Sequence, residues 1–390
     1  MFFQDQSEEI KSSYVAYLRG IASLSKLFSD SKSPYISYRV SENLFCMAFD
    51  AVNVSRTDCS ADATKRLSED MNLGFGIKTF LEKNNKSLEK VAEFNKDLSE
   101  EVKKSMNPEQ LVKYVGKLRN RRIESTCDIL ELDKIIYHCV VRSKGRVKIY
   151  EQEMSPIDLD NITFEGRERR HIHFNDGLNE YELNLSKSTL FKRFSSIGRV
   201  TSEFDIQILE NPFELIRSLG VGGVLIETPG ILQPELPVAE ESVCLPLFSP
   251  RSVENPRVFE RSGLNQWNAG GRARHADELY IPIPIWIHSV FPNFFPPQDT
   301  HFDLILPNRR TLVAKVCQQG GKALMSAPNQ ALGHWILRDI LHIPEGELVT
   351  YEDLRQIGID SVEITKIGDL SFEINFKKIG TYAEFEKDYL

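Results

Sequence analysis

Three charged side chains within residues 41–80 could together hydrolyse a phosphodiester bond. Glu42 lies in SENLFCMAFDAV, whose apolar residues have helical spacing and whose Ser41 suits an N-cap. Asp62 begins one strand-like segment and Lys78 lies on the next. Magnesium takes carboxylate oxygens, and a metal ion with a lysine can activate water and stabilise a pentavalent phosphate. The three residues therefore predict a catalytic centre in which Asp62 and Glu42 bind Mg²⁺.

An acidic helix that leads into a hairpin bearing Asp and Lys resembles the PD-(D/E)xK nucleases. The family pattern places Glu or Asp two residues before the lysine, where this chain has Gly76. The resemblance implies either that the carboxylate has moved or that the centre is degenerate. Glu93 and Asp58 are the candidates for a moved carboxylate, with Asp58 a further possible metal ligand.

A second set of polar side chains is concentrated in SGLNQWNAGGRAR, residues 262–274. Three glycines interrupt any helix there, and so polar a segment cannot bury itself. Arginine can bond bidentately to guanine, and Asn or Gln to adenine. The segment CQQGGKALMS, residues 317–326, has a similar composition, and its lysine suits a base or a phosphate. The predicted DNA-binding residues are Asn265, Gln266, Trp267, Asn268, Arg272, Arg274, Gln318, Gln319 and Lys322.

These segments belong to an ordered series that runs through RHADELYIPIP, FFPPQDTHFDLILPN, NQALGHWILRDIL and GELVTYEDLRQIGIDSVEI. Over roughly residues 240–380 the series resembles the DNA-recognition domain of NgoFVII-type restriction endonucleases. That domain is a pseudobarrel shared with the effector domains of BfiI and EcoRII and with plant B-three transcription factors. The resemblance implies two arms that grip the major groove, the first at 262–274 and the second at Cys317–Ser326. Trp267 suits packing or base stacking.

The first half departs from the NgoFVII-type pattern. Known enzymes of that type carry a phospholipase-D-like nuclease marked by an HxK motif. None of the eight histidines in this chain is followed two places later by lysine. A metal-independent histidine mechanism is therefore not carried over, and the PD-(D/E)xK-like centre is the alternative. The pair His171 and His173 has no third ligand in its pattern.

The patterns along the chain predict two domains of α+β or α/β class. Residues 1–200 have helical spacing over 8–28, 41–52, 87–105 and 107–122, and alternation typical of strands from 134. Residues 205–390 have strand patterns over 220–229, 278–287, 301–308, 311–318, 361–367 and 371–377, with one helix at 331–341. We expect a helix-rich nuclease domain followed by a mainly β pseudobarrel that binds DNA.

Composition constrains the surroundings of the protein. The 390 residues are 41% hydrophobic and 27% charged, with a net charge of −8. Residues 251–330 reverse that sign, with nine Lys and Arg against six Asp and Glu. Six cysteines form no CxxC pair, no apolar run approaches a membrane span, and the first residues lack the pattern of a signal peptide. We expect a cytoplasmic protein without membrane or zinc.

These observations predict a type II restriction endonuclease that recognises double-stranded DNA and hydrolyses it with Mg²⁺. A homodimer is expected because one site per chain usually needs two chains to cut both strands. Two alternatives stay open: a non-catalytic sequence-specific DNA-binding protein, favoured by Gly76, and a nuclease directed to modified bases.

Overall fold

The computed structural model describes residues 1–55, 59–94, 97–218, 241–249, 251 and 255–390. The chain divides into two compact units. The first comprises residues 1–55, 60–119 and 132–234, and the second comprises 56–59, 120–131 and 235–390. Residues 120–131 thus group with the second unit although they precede residue 200 in the chain.

The first unit begins with two helices, α1 (Glu8–Ser23) and α2 (Tyr38–Phe49). Both are capped by serine hydroxyls: Ser7 accepts from Ile10 N, and Ser37 accepts from Val40 N. The N-cap predicted at Ser41 is therefore wrong, because α2 starts one turn earlier and Ser41 lies inside it, buried. The helix ends where Asp50 adopts a left-handed conformation.

A six-stranded sheet in the first unit has the order β1-β2-β3-β5-β6-β11. Its strands are β1 (Val52–Asn53), β2 (Ala63–Ser68), β3 (Met71–Leu81), β5 (Lys134–Ser143), β6 (Arg146–Glu153) and β11 (Ser202–Asp205). Strands β3 and β5 are parallel, and α3 (Glu100–Ser105) and α4 (Pro108–Leu130) lie between them in the chain. The chain thus runs helix, three strands, helix and a parallel strand through this sheet.

The second sheet of this unit has five antiparallel strands in the order β4-β10-β9-β8-β7. They are β4 (Lys86–Glu93), β7 (Thr163–Glu168), β8 (His171–Asn175), β9 (Glu180–Asn184) and β10 (Thr189–Ser195). The helix predicted over 87–105 is therefore wrong in its first half, where β4 pairs with β10. Of the described residues in that segment, which exclude 95 and 96, Glu100–Ser105 is the helical part, after the N-cap Ser99.

Alternation along β3 gives its two faces different neighbours. Phe75 and Ile77 are buried in an apolar cluster that includes Tyr14 and Leu18 of α1 and Phe45 of α2. The other face carries Gly74, Gly76 and Lys78. The apolar cluster fixes α2 against the sheet, and with it the position of Glu42.

The second unit contains a nearly closed, seven-stranded β-barrel of order β12-β17-β18-β14-β15-β16-β13. Its strands are β12 (Ser242–Pro246), β13 (Ile281–Pro282), β14 (His301–Ile305), β15 (Thr311–Cys317), β16 (Ala323–Ser326), β17 (Ile359–Gly368) and β18 (Ser371–Lys378). Most neighbours are antiparallel, but β14 and β18 are parallel. The combination of α and β elements with a barrel in the second half confirms the predicted mixed class and is consistent with a pseudobarrel.

In the described part of the second unit, four α-helices and a π-helix accompany the barrel strands, and a short helix, α5 (Pro212–Ser218), lies in the first unit. Of the strand predicted over 278–287, only Ile281–Pro282 is a strand, and Pro284 precedes the helix α6 (Ile285–Val290). The predicted helix at 331–341 comprises α7 (Ala331–Gly333) and a π-helix over His334–Ile340. Helices α8 (Tyr351–Ile357) and α9 (Thr381–Tyr389) complete the unit. The segment 220–229 lies outside the described residues.

Candidate functional site

Asp62 is fixed beside the part of β3 that carries Lys78. Its backbone N donates to Phe75 O at 2.7 Å, and its carboxylate Oδ2 accepts from Ile77 N at 2.7 Å. The carboxylate is thereby held next to the strand by a backbone donor, one residue before the lysine. The half-buried Lys78 reaches the same neighbourhood from β3.

Glu42 is a buried acid with an unsatisfied oxygen. The residue is 5% exposed, and its Oε2 has no hydrogen-bond partner. Arg39 Nη1 lies 3.7 Å from that oxygen. Burial raises the pKa of Glu42, the charge of Asp62 raises it further, and Arg39 and Lys78 oppose both effects. Asp62 and Lys78 are thus close enough for their charges to act on Glu42.

Gly76 lies where the PD-(D/E)xK pattern expects an acid, and its surroundings leave little room for one. A Cβ atom there would lie 2.5 Å from Met154 Cε and 3.2 Å from the ring of Tyr137. Met154 could shift, since Cε is the end of a flexible side chain, but the tyrosine ring is part of the packed face. The glycine is therefore matched to its neighbours.

The two carboxylates predicted to replace the missing acid have different outcomes. Asp58 lies outside the described residues. Glu93 is placed at the end of β4, where its Oε1 accepts from Lys90 Nζ at 3.0 Å. A different acid, Glu89, lies on the same strand and was not predicted. Burial raises its pKa, whereas a hydrogen bond from Ser87 and then the charges of Lys78 and Arg142 lower it.

The sequence missed Glu89 because KSLEKVAE was read as part of a helix. As a strand, β4 follows β3 through a short turn closed by the paired residues Lys83 and Lys86. Such a connection returns Glu89 towards β3. A strand assignment would have been the signal needed to find it.

The donor set suits a hard cation with few protein ligands. Within the described part of the chain, no group of three or more His, Cys, Asp or Glu side chains is arranged to hold a metal ion. Glu42 and Asp62 form a pair, and Mg²⁺ is commonly held by one or two carboxylates together with waters and substrate phosphates. The unsatisfied Oε2 of Glu42 fits such a ligand.

The histidine pair on β8 is occupied by a neighbouring carboxylate. Glu182 of β9 lies between the two rings, with its Oε1 2.6 Å from His171 Nδ1 and its Oε2 3.7 Å from His173 Nδ1. The buried His138 is likewise paired, with its Nδ1 3.0 Å from Glu151 Oε1 and its Nε2 3.2 Å from the hydroxyl of Tyr14.

In the second unit, the first predicted arm starts with a 3₁₀ helix over Gly263–Asn268. Asn265 is fully buried, and its amide donates to Phe259 O and Val349 O and accepts from Val349 N. The geometry gives Asn265 a structural role, and it is not among the proposed base-reading residues.

Asn268 is exposed and donates to Glu260 O. Gln266 and Trp267 are half-buried, and the Oε1 of Gln266 has no partner.

The two arginines of the first arm share one buried carboxylate. Arg272 donates from both Nη atoms to Glu278, whose side chain is 4% exposed. Arg274 Nε lies 3.7 Å from the same carboxylate. Arg274 Nη1 also donates to the carbonyl oxygens of Ala269, Gly270 and Arg272. These hydrogen bonds hold the arm in a compact conformation.

The solvent exposure of the two arginines separates them. The Arg272 side chain is 54% exposed, against 15% for Arg274. Arg272 uses the two Nη atoms towards Glu278, so its Nε edge is directed away from that carboxylate. Arg272 is therefore placed to bind a further group, whereas Arg274 holds the arm together.

The second arm is a tight turn between β15 and β16. Gln318, Gly320 and Gly321 have positive φ angles of 66°, 78° and 66°. Gly321 is buried, and a Cβ atom there would lie 3.0 Å from His288 Nε2. These conformations leave the side chains of Gln318, Gln319 and Lys322 exposed at the tip. The structure thus brings three of the predicted polar residues together on one turn.

The base of the first arm is anchored next to Glu278. Asp277 Oδ1 accepts from Arg338 Nε at 2.7 Å, and its Oδ2 lies 3.2 Å from His334 Nδ1. These hydrogen bonds hold the pKa of Asp277 below its usual range despite burial. The two consecutive acids therefore bind different elements. Asp277 binds side chains of the helical segment 331–340, and Glu278 binds the arginines of the arm.

Residues 245–368 match the family model of the NgoFVII C-terminal B3-like DNA-binding domain. The match covers less than half of the chain and confirms the resemblance predicted for the second half. The second unit thus carries a recognition domain of a kind found in restriction enzymes, and DNA is the partner that it supports. No curated protein is similar enough to the chain to count as a match. None of the described helices is long and apolar enough to cross a membrane.

Replacing Asn265 by alanine should lower the free energy of unfolding by about 1–3 kcal/mol, because backbone groups of Phe259 and Val349 would be buried without their partners. Urea unfolding of the full chain measures this change. Asn268→Ala is the matched control, since its exposed amide makes one bond to Glu260 O. Equal stability of the two variants would contradict the structural role of Asn265.

Proposed function

We propose that the protein is a Mg²⁺-dependent, site-specific endonuclease of the type II restriction class. The observation that carries the proposal is the match of residues 245–368 to a restriction-enzyme recognition domain, on a chain whose first unit joins Glu42, Asp62 and Lys78. The order of helix, three strands, helix and parallel strand around these residues supports a PD-(D/E)xK-like core. Both observations favour hydrolysis of phosphodiester bonds in duplex DNA.

In this proposal the acids and the lysine divide the work. Asp62 and Glu42 would hold the cation, which supplies a positive charge beside the scissile phosphate and lowers the pKa of bound water. The Lys78 ammonium would stabilise the additional negative charge of the pentavalent phosphate. The charge of Lys78 acts on Glu89 of β4, and Glu89 would balance that charge when DNA is absent. The backbone donor Ile77 N keeps Asp62 directed along the strand.

The arms of the second unit would select the site. Arg272, Gln318 and Gln319 suit base edges, and Lys322 suits a base or a phosphate. Gln266, Trp267 and Asn268 lie in the 3₁₀ helix of the first arm and are secondary candidates for DNA contacts. Arg274 would act through the arm that it closes. Since each chain has one proposed centre, cutting both strands would require a homodimer.

The direct test is digestion of plasmid DNA in Mg²⁺, followed by run-off sequencing of the products. We expect discrete fragments with one shared sequence at or near every cut. Specific binding without cleavage would instead favour a non-catalytic DNA-binding protein, for which the glycine at position 76 is the supporting observation. Cleavage confined to DNA with modified bases would identify a modification-dependent nuclease.

Glu42→Gln should raise the melting temperature of the metal-free protein at neutral pH while it lowers cleavage. The folded-state pKa of Glu42 is raised, so its ionisation disfavours the folded state, and stability is lost as pH rises through the carboxyl range. The neutral amide removes that loss, and the advantage should disappear at acidic pH. Added Mg²⁺ should stabilise the wild type more than the variant. Melting curves at several pH values provide the measurement.

Residues 205–390 expressed alone should bind the selected DNA sequence without cutting it. The proposed reading residues and the matched domain all lie in this range. A gel shift with selected and random duplexes measures the preference. Residues 120–131 also belong to the second unit, but a continuous fragment cannot include them without part of the first unit. The full-length protein is therefore the control. A fragment without sequence preference would show that specificity needs the first half.

A further inference from the structure

The second unit contains a cavity of about 540 Å³ that the contacts within the arms do not explain. Ser262 and Gly263 of the first arm border it, and Gln318 and Lys322 of the second arm also line it. A concave space of this size is typical of sites for small ligands. The cavity therefore lies where DNA held by the two arms would meet the protein.

The walls of the cavity combine aromatic faces with a few polar groups. Phe248, Phe259, Tyr280 and Trp286 line it. Phe248 is buried against Tyr351 and Tyr382, whereas Phe259 is 49% exposed. Flat rings of this kind stack on nucleobases, and nearby amides or hydroxyls can bond to the edge of a base.

The charge of the lining suits a nucleotide. Among the described residues that line the cavity there are two cations, Arg251 and Lys322, and no Asp or Glu. The whole chain has a net charge of −8, so the described part of this lining differs from the composition of the chain. A nucleotide presents an apolar face and a phosphate, which match the rings and the cations respectively.

We propose that this cavity receives a single nucleobase that is turned out of the duplex while the arms hold the flanking DNA. The inference rests on the proposed DNA recognition and deepens it, because it names an extrahelical base as the group that is read. Stacking would come from Phe259 and Tyr280, and Gln318 of the lining would supply an amide for the edge of the base. The volume leaves room for a base that carries a substituent.

The test measures binding of the full chain to the duplex selected from a random library, with each base pair of the site replaced in turn by a mismatch. Turning out a base breaks its pair, so a mismatch at the extruded position removes part of that cost. We expect binding to tighten about tenfold at one position, which corresponds to about 1.4 kcal/mol. Mismatches elsewhere in the site should weaken binding.

Two variants make the result specific to the cavity. Ser262→Trp should fill it and abolish the tightening, while Ser289→Trp, on the exposed face of α6 and outside the lining, should retain it. Phe259→Ala should reduce the tightening without loss of the fold, as circular dichroism would verify. Specific binding in which no mismatch tightens the complex would overturn the cavity proposal and leave DNA recognition intact. Absence of any sequence preference would overturn both.

Discussion

Asp62→Asn should reduce cleavage by at least about a hundredfold while specific DNA binding changes little, and Lys78→Ala should have an effect of similar or greater size. The asparagine keeps the shape of the side chain and can still accept from Ile77 N, so the strand should stay in place. What is lost is the charge that would hold a cation. Single-turnover cleavage and gel shifts on the same duplex separate the two effects.

The hairpin that carries these residues offers matched controls. Asp70→Asn lies in the turn between β2 and β3, and Lys83→Ala lies in the exposed turn between β3 and β4. Both should cleave as the wild type does. Cleavage should stop in EDTA and return with Mg²⁺ or Mn²⁺, while Ca²⁺ should support binding alone. Cleavage that persists in EDTA would contradict the metal-dependent centre, and full activity of Asp62→Asn would remove Asp62 from it.

Glu89 and Glu93 can be distinguished by the same assay. Glu89→Gln should change the pH dependence of cleavage, because burial raises the pKa of Glu89 and the charge of Lys78 opposes that effect. Glu93→Gln should have a smaller effect, since the contact at its Oε1 is an exposed ion pair with Lys90. A larger loss from Glu93→Gln than from Glu89→Gln would instead support Glu93 as the moved carboxylate.

The sequence predicted elements best where one pattern excluded the others. The segments 134–142 and 371–377 correspond to β5 and β18. Residues 371–374 of β18 alternate in burial, whereas residues 135–141 of β5 are all buried and form a short apolar run of strand length. The helix predicted over 87–105 is wrong in its first half because the apolar spacing there fits a helix as well as a strand. Pairing with β10, about a hundred residues away, decides between the two. Local spacing contains no information on such a partner.

For the candidate residues too, the sequence gives the residue type but not the groups that the side chain contacts. Asn265 and Gln318 are both amides in polar, glycine-rich segments, so the sequence treats them alike. One is buried and bonds to the backbone of Val349, 84 positions away, and the other is exposed on a turn. Likewise, the sequence distinguishes Arg272 from Arg274 by nothing but position. Their contacts with Glu278 are a property of the folded arm.

Arg272→Ala should weaken specific binding by about 1–3 kcal/mol, the usual value of a bidentate contact with guanine, and should relax the choice of base at one position. Binding to random DNA should change much less. Arg272→Lys should not restore the preference, because an ammonium lacks the planar fork. Competition of selected and single-substituted duplexes measures both effects. Arg274→Ala should differ, since the loss of three carbonyl contacts loosens the whole arm and should lower discrimination at several positions.

Glu278→Gln provides the sharpest test of this arrangement. Removing a negative charge next to DNA should by itself strengthen binding to any sequence, because fewer like charges oppose the phosphates. If Glu278 positions Arg272, the same change should instead reduce the specificity ratio, since the charge-assisted fork that holds the guanidinium is lost. The effects of Arg272→Ala and Glu278→Gln should then be non-additive in the double variant. Additive effects, or a Glu278→Gln protein that binds all duplexes more tightly with unchanged preference, would show that Glu278 acts only as a charge.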